Sequence, residues 1–389
     1  MEKLFEQSHK LVGGVNLDFR RYLYAKIDWN SRLIGLLGAR GVGKTTLVLQ
    51  YIKENLNPNE ALYVTAEDFH FTENRLLDLA DMLVKMGGKR LFIDEIHKYK
   101  DWSKELKLIY DYHPDLKVVF TGSSVLDINK GVADLSRRAV MYHMYGLSFR
   151  EYLHVFHGIS APVFSLEEII AQKITLPELK HPLPLFKDYL ENGYYPFAKE
   201  SGYDFRLTQI LNQTLETDIP QYADMNVATG RKLRQLLMIV AQSAPFKPNF
   251  SKIAQMLEAS RNNIADYFLY IEEAGLIMQL RNHTGGIRGL GKIEKIYLEN
   301  TNLIYNLARE NANIGNIRET FFFNQTRIFA DVISSPVADF MIGDMTFEIG
   351  GKSKTQKQIQ NTPNSFVVKD DIEFGFMNIV PLWQFGMGY

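Results

Sequence analysis

Cysteine is absent from the 389-residue chain. Its absence excludes disulfides, thiol nucleophiles and thiolate metal sites, and it suits a reducing compartment. A charge excess is missing too: 44 basic against 45 acidic residues leave a net charge of −1. No global field therefore draws nucleic acid or anionic lipid, and any such affinity needs a local patch. No apolar run is long enough to span a bilayer, and the start, Met1 to Glu6, lacks the apolar core of a secretion signal. The expectation is a cytoplasmic protein with no membrane partner. What is present, 46% hydrophobic and 23% charged residues, describes a globular chain long enough for two or three domains.

One stretch organises the rest: Gly38, Ala39, Arg40, Gly41, Val42, Gly43, Lys44, Thr45 and Thr46. It follows the apolar run Leu33 to Leu37 and precedes the helical pattern Leu47 to Ile52. In that strand, loop, helix order, Gly38, Gly43, Lys44 and Thr45 fit GxxxxGK(S/T). The glycines let backbone N–H groups turn onto an anion, and the helix N-terminus adds its positive dipole end. Lys44 is placed to neutralise β- and γ-phosphates, and the Thr45 hydroxyl to ligate Mg²⁺. The expected ligand is a nucleoside triphosphate.

About fifty residues on, Arg90 to Ile93 form an apolar strand that ends in Asp94 and Glu95. An acid at such a strand end meets the Mg²⁺ shell, a task for Asp94. Glu95 next to it is the candidate general base that polarises water for attack on the γ-phosphate. A further strand, Leu116 to Gly122, runs into Ser123 and Ser124. The Ser123 hydroxyl is either a γ-phosphate contact or the cap of a following helix. Arg137 and Arg138 are candidates for an arginine that stabilises transferred charge, in cis or from a neighbouring subunit; the alternative is a surface pair. Leu17 to Trp29 carry helical spacing and read as a leading helix. Alternating strands and helices imply an α/β fold, a doubly wound parallel sheet with helices on both faces.

Further along, residues 151–230 look helical and are punctuated by Pro177, Pro182, Pro184 and Pro196, which mark helix ends. Ser251 to Leu257, with Ser251 as cap, and Asn263 to Ala274 read as two helices. A hairpin from Leu276 through Gly285 and Gly286 follows, giving a helix-turn-helix with a wing. Arg261, Asn262 and Asn263 suit DNA, whereas Asp266, Glu272 and Glu273 would repel phosphates. The wing offers Arg281, Arg288, Lys292 and Lys295. DNA contact and protein packing both remain open.

The string Leu91 to Tyr99, Trp102, Phe120 to Ser124 and Gly146 to Leu153 resembles the AAA-type ATPases of prokaryotes that carry a C-terminal domain of unknown function. The resemblance runs through essentially the whole chain. It implies ATP as the nucleotide and a P-loop core of the archaeal and signal-transduction ATPase branch. A winged helix and a small PD-(D/E)XK nuclease-like domain would follow. The implied layout is 1–150 ATPase, 151–230 helical connector, 231–300 winged helix and 301–389 nuclease-like domain. In that last part Asp339 and Glu348 match a second metal site, Glu319 a helical acid and Gln358 a later glutamine. The pattern breaks at Gly350, where a lysine belongs; Lys352 and Lys354 keep its parity. The module is then either a nuclease or a degenerate docking domain. Pro381 to Phe385 reads as a closing strand. The resulting expectation is an Mg²⁺-dependent ATPase that switches its C-terminal modules, with an unidentified protein partner and a homo-oligomer as candidate assembly. The alternatives are a slow nucleotide-gated binding protein and an ATP-regulated metal-dependent DNA nuclease.

Overall fold

The computed structural model describes residues 1–122, 135, 137–223, 225, 227–242, 246–282 and 292–389. The chain divides into two compact units, Met1–Gly146 and Leu147–Tyr389.

In the first unit α1 (Glu2–Gly14) precedes β1 (Leu33–Leu37), α2 (Lys44–Asn55), β2 (Ala61–Thr65), the single turn α3 (His70–Glu73) and α4 (Leu76–Lys85). Then come β3 (Arg90–Asp94), α5 (Trp102–Tyr112), β4 (Lys117–Gly122) and β5 (Val140–His143). The strands form one sheet in the order β2-β3-β4-β1-β5, every pairing parallel. Parallel strands covered on both faces read as unbroken apolar runs. Accordingly all five residues of β1 are buried, as are Leu91, Phe92 and Ile93 of β3. Full burial of one such side chain contributes about 1.5–3 kcal/mol, which is why these runs dictate the sheet. The α/β expectation holds for this unit, and its functional loops lie beyond the C-terminal strand ends.

Leu17 to Trp29 do not form the expected helix; the leading helix is α1, and residues 22–26 are turns. Short acids and amides here bond their own backbone and compete with helix. Asp28 accepts from Asn30 N at 3.1 Å and from Ser31 Oγ at 3.0 Å. The aromatic residues of the segment pack instead, with the Trp29 ring stacked on Tyr51 at 3.7 Å.

The second unit begins with Phe149–His157, whose Ser148 cap and Glu151 form a reciprocal capping box. Pro182 and Pro184 open the helix Pro182–Asn192, where a missing N–H costs little. Helix Phe250–Met256 is capped by Asn249, two residues before the expected Ser251; the Asn249 side chain accepts from Lys252 N. Helix Arg261–Glu273, capped by Ser260, buries Ile264, Tyr267, Phe268 and Ile271. It leads into an antiparallel pair, β6 (Ile277–Arg281) and β7 (Ile293–Leu298). The hairpin tip with Gly285, Gly286 and Arg288 lies outside the described residues.

Five short strands complete the unit: β8 (Val332–Ser334), β9 (Phe340–Ile342), β10 (Met345–Gly350), β11 (Ser365–Lys369) and β12 (Ile379–Pro381). Their order is β12-β11-β10-β9-β8, parallel from β10 to β12 and antiparallel from β8 to β10. Helix Ile314–Thr326 supplies Phe321, Phe322 and Phe323 to the core. The expected closing strand ends at Pro381, and Leu382–Met387 wind into a 3₁₀ helix. All six of its residues are buried. Among the described residues no helix is long and apolar enough to cross a membrane.

Candidate functional site

The glycine loop leaves β1 and enters α2. Gly38 must be glycine because a Cβ would run into the carbonyl oxygen of Met144. Gly43, with φ of 100°, caps α2 in the left-handed region that disfavours a side chain. Val42 is fully buried and pins the loop, whereas Gly41 and Thr46 face solvent. Lys44 is buried, its Nζ donating to Gly38 O at 2.9 Å and Ala39 O at 3.0 Å. Burial lowers its pKa to about 8, against the opposing pull of Glu95 and Asp94. The ammonium thus ties the loop to a curve around itself while the first amides of α2 stay free of side-chain caps.

Asp94, at the end of β3, gathers three hydroxyls. Thr45 Oγ1 and Tyr63 OH each donate to Oδ2 at 2.7 Å, and Thr121 Oγ1 donates to Oδ1. Burial first, then the Asp94 charge, pushes the Tyr63 phenol far above its ordinary value, so it stays a donor. Glu95 breaks the strand with φ of 51° and ψ of 42°, which turns its side chain away from the strand alternation. Its N–H donates to Thr121 Oγ1 at 3.3 Å, and its Oε2 lies 3.5 Å from Nε2 of buried His97. Lys44, Thr45, Asp94 and Glu95, all singled out in the sequence, are therefore brought together.

Other expected residues fall elsewhere. Ser123 lies outside the described residues. Arg137 is exposed, while Arg138 forms a two-point pair with Asp111 of α5, both bonds at 3.1 Å. Tyr63, Thr121 and His97 were missed. Tyr63 sits inside an apolar strand, and only the β2–β3 register, which pairs Thr65 with Asp94, brings its hydroxyl there. Thr121 likewise depends on the β4 position. His97, two residues past Glu95, was the one within reach of local reading.

A second acidic constellation lies in the second unit. Glu319 comes from helix Ile314–Thr326, Asp339 from just before β9, and Glu348 from β10. Lys295 of β7 sits between the first two, with Nζ 2.9 Å from Glu319 Oε2 and 3.0 Å from Asp339 Oδ1. Tyr297, on the same strand face, donates to Glu319 at 2.6 Å. Burial raises the Glu319 and Glu348 carboxyls above the usual carboxylate range, aided in Glu319 by Asp339. Lys295 is lowered by burial but raised on balance by Glu319 and Asp339.

Of the two lysines that keep the parity, Lys354 bonds Glu348, while Lys352 is exposed. Gly350 continues β10 and makes room for that lysine, since a Cβ there would lie 2.5 Å from Lys354 Cγ. Lys295 is 9% exposed and so is not a basic residue of a solvent-facing wing. Asp339 and Glu348 are met by ammonium groups, and among the described residues no group of three or more His, Asp or Glu is arranged to hold a metal. Gln358 donates to Val337 O at 3.1 Å. On helix Arg261–Glu273, Arg261, Asn262, Asn263 and Asp266 are exposed, while Glu272 accepts from Gln279 N at 3.0 Å.

Residues 30–153 match the family model described as an AAA domain, and residues 183–314 match one described as a domain of unknown function. The chain is 26% identical over 287 residues to an uncharacterized protein of Methanocaldococcus jannaschii, a match that covers 68% of this chain and 60% of that protein. It thus spans less than two thirds of that relative. A Walker-type ATPase of Pyrococcus abyssi is similar over 75% of this chain and 96% of its own, with 12% identity and a TM-score of 0.46. AMPPCP-bound DnaA from Aquifex aeolicus is similar over 70% and 88%, with 12% identity and a TM-score of 0.30. The first unit carries an AAA-type P-loop core.

Proposed function

We propose that this AAA-type core binds ATP with Mg²⁺ and hydrolyses it. The observation that carries the reading is the meeting of Thr45 and Asp94 at 2.7 Å beside a lysine-held glycine loop. The residues fit a divalent ion: Asp94 takes only hydroxyl donors on its side chain among the described residues, so its negative charge is not cancelled by a bonded cation. Thr45 and Asp94 would hold that ion, which would supply neutralisation of phosphate charge. Lys44 would exchange the carbonyls of Gly38 and Ala39 for phosphate oxygens. The amides of residues 39–46 would cradle the β-phosphate, with Gly41 at their exposed crest. Glu95 would orient a water and accept its proton, and Thr121, bonded to both Asp94 and the Glu95 N–H, would keep the two acids in register.

Arg137 is exposed, and in a homo-oligomer it would reach a neighbouring copy and stabilise transferred charge there. Hydrolysis would then switch the C-terminal modules, among them the two helices and hairpin of residues 250–298 acting as a winged helix. The acids of that helix and the burial of Lys295 favour a protein partner over DNA. A second reading, a nucleotide-gated binding protein with slow turnover, is favoured by the Glu95–His97 pairing, which holds the base aside.

The test is a comparison of wild type with Glu95→Gln. ATP binding retained with turnover lost is the expected result, and equal hydrolysis rates sink the catalytic reading. Wild-type protein that keeps ATP through purification and turns it over no faster than Glu95→Gln supports the gated reading instead.

A further inference from the structure

Arg21, in the irregular stretch between α1 and β1, is 6% exposed. A guanidinium at that depth needs its hydrogen bonds made. One arm, Nη1, donates to Val42 O inside the glycine loop. The other, Nη2, donates to Tyr145 O at 2.7 Å and to Gly146 O at 2.8 Å, just past β5. One planar group, its donors fixed in a fork, therefore holds the glycine loop and the segment beyond β5 at once. Both ends are tightly packed. Val42 is fully buried, Met144 N donates to Leu37 O at 2.8 Å, and Met144 O leaves no room for a Cβ on Gly38. Tyr22 adds a second tie, its hydroxyl donating to His143 O at 3.2 Å.

The bond to Val42 bears on the ligand. In a planar trans peptide the C=O and the N–H that follows it point in opposite directions. Val42 O is turned toward the buried arginine, so the Gly43 N–H is aimed away from it. Gly43 caps α2 with φ of 100°, at the helix start where turned amides and the dipole receive an anion.

We propose that Arg21 is a positioning residue for the nucleotide: it sets the Val42–Gly43 peptide so that the Gly43 N–H meets the β-phosphate, and it carries the state of that peptide to Tyr145 and Gly146. The proposal rests on the reading of the loop as an ATP site. A β-phosphate that accepts from the Gly43 N–H polarises the peptide and strengthens the bond at its other end, Val42 O. The guanidinium is then held more firmly, and so are the two carbonyls on its other arm. Lysine at this position keeps the charge, but a flexible point charge does not grip both sites in one plane.

The test is amide hydrogen exchange on the full chain, read at residues 38–46 and 143–146, without nucleotide and with saturating Mg-ATP, Mg-ADP or AMP. In wild type ATP and ADP should slow exchange in both regions, and AMP, which has no β-phosphate, in neither. In Arg21→Lys saturating ATP should still slow the loop but no longer 143–146. The same variant should bind ATP and ADP roughly tenfold more weakly, and any loss of turnover should lie in KM rather than kcat. An arginine that serves only the fold gives another pattern, in which its loss speeds exchange throughout the unit and nucleotide still slows both regions. That pattern overturns the proposal. So does wild-type protein in which ATP slows the loop and leaves 143–146 unchanged, or in which AMP slows 143–146; in either case ATP binding stands. If Mg-ATP gives wild type neither calorimetric heat nor a slower loop, the ATP reading fails and this inference with it. Should Arg21→Lys not fold, the wild-type exchange pattern decides alone.

Discussion

Asp94 and Asp339 are both largely buried acids beside a strand end, yet their neighbours differ in one respect. Asp94 is held by Thr45, Tyr63 and Thr121, three neutral hydroxyls. Asp339 is held by an ammonium and one backbone N–H. Hydroxyls satisfy lone pairs and orient a carboxylate while leaving its charge to be used. An ammonium satisfies the lone pairs and consumes the charge as well. In the first unit the nearby lysine, Lys44, spends its hydrogen bonds on loop carbonyls. In the second, Lys295 and Lys354 spend theirs on the acids. An acid cluster is therefore ready for a cation or already supplied with one according to where the lysines bond.

The largest test of the contrast is Glu95→Gln. A positioned general base contributes about 10²–10⁴-fold, so single-turnover hydrolysis should fall by that much while ATP still binds. Next comes Lys295→Ala in metal-free buffer. Breaking a buried ion pair costs about 3–5 kcal/mol, read as a lower midpoint in urea unfolding. Lys44→Ala should follow, since a charge-assisted contact is worth about 1.5–3 kcal/mol, seen as a ten- to hundredfold weaker ATP affinity by calorimetry.

Smaller is the pH effect. Lys44 in the folded protein titrates at about 8, below its ordinary 10.5. Between those values the unfolded chain holds more protons, so stability of the nucleotide-free protein rises with pH across that window. Phosphate prefers the charged lysine, so ATP affinity should decline above pH 8, and the decline should vanish in Lys44→Ala. Smallest is Tyr63→Phe, which removes one of three hydroxyls from Asp94 and should cost about 0.5–1.5 kcal/mol. A Tyr63→Phe penalty as large as that of Lys295→Ala would erase the distinction between neutral and charged partners.

The contiguous features were legible. The glycine loop, Asp94 and Glu95 follow from a handful of neighbouring residues, because the cradle is made of consecutive amides and one helix start. Apolar runs such as Leu33 to Leu37 announced buried parallel strands for the same reason. Helical spacing in Leu17 to Trp29 misled, since side chains of Asp28 and its neighbours bond backbone locally and release the aromatics to pack. Pro381 to Phe385 misled in the other direction: the strand stops at Pro381, and the buried residues Leu382–Met387 wind into a 3₁₀ helix.

Sequence alone determined that a glycine loop of the phosphate-binding pattern follows the first strand and that two acids end the third, because local backbone chemistry needs no distant partner. Which hydroxyl, histidine or lysine meets each acid was decided only in three dimensions. Tyr63 reaches Asp94 through the β2–β3 register, and Lys295 reaches Glu319 and Asp339 across 24 and 44 residues of chain. Whether a buried carboxylate keeps its charge for a metal depends on such long-range encounters, and strand register and packing set them.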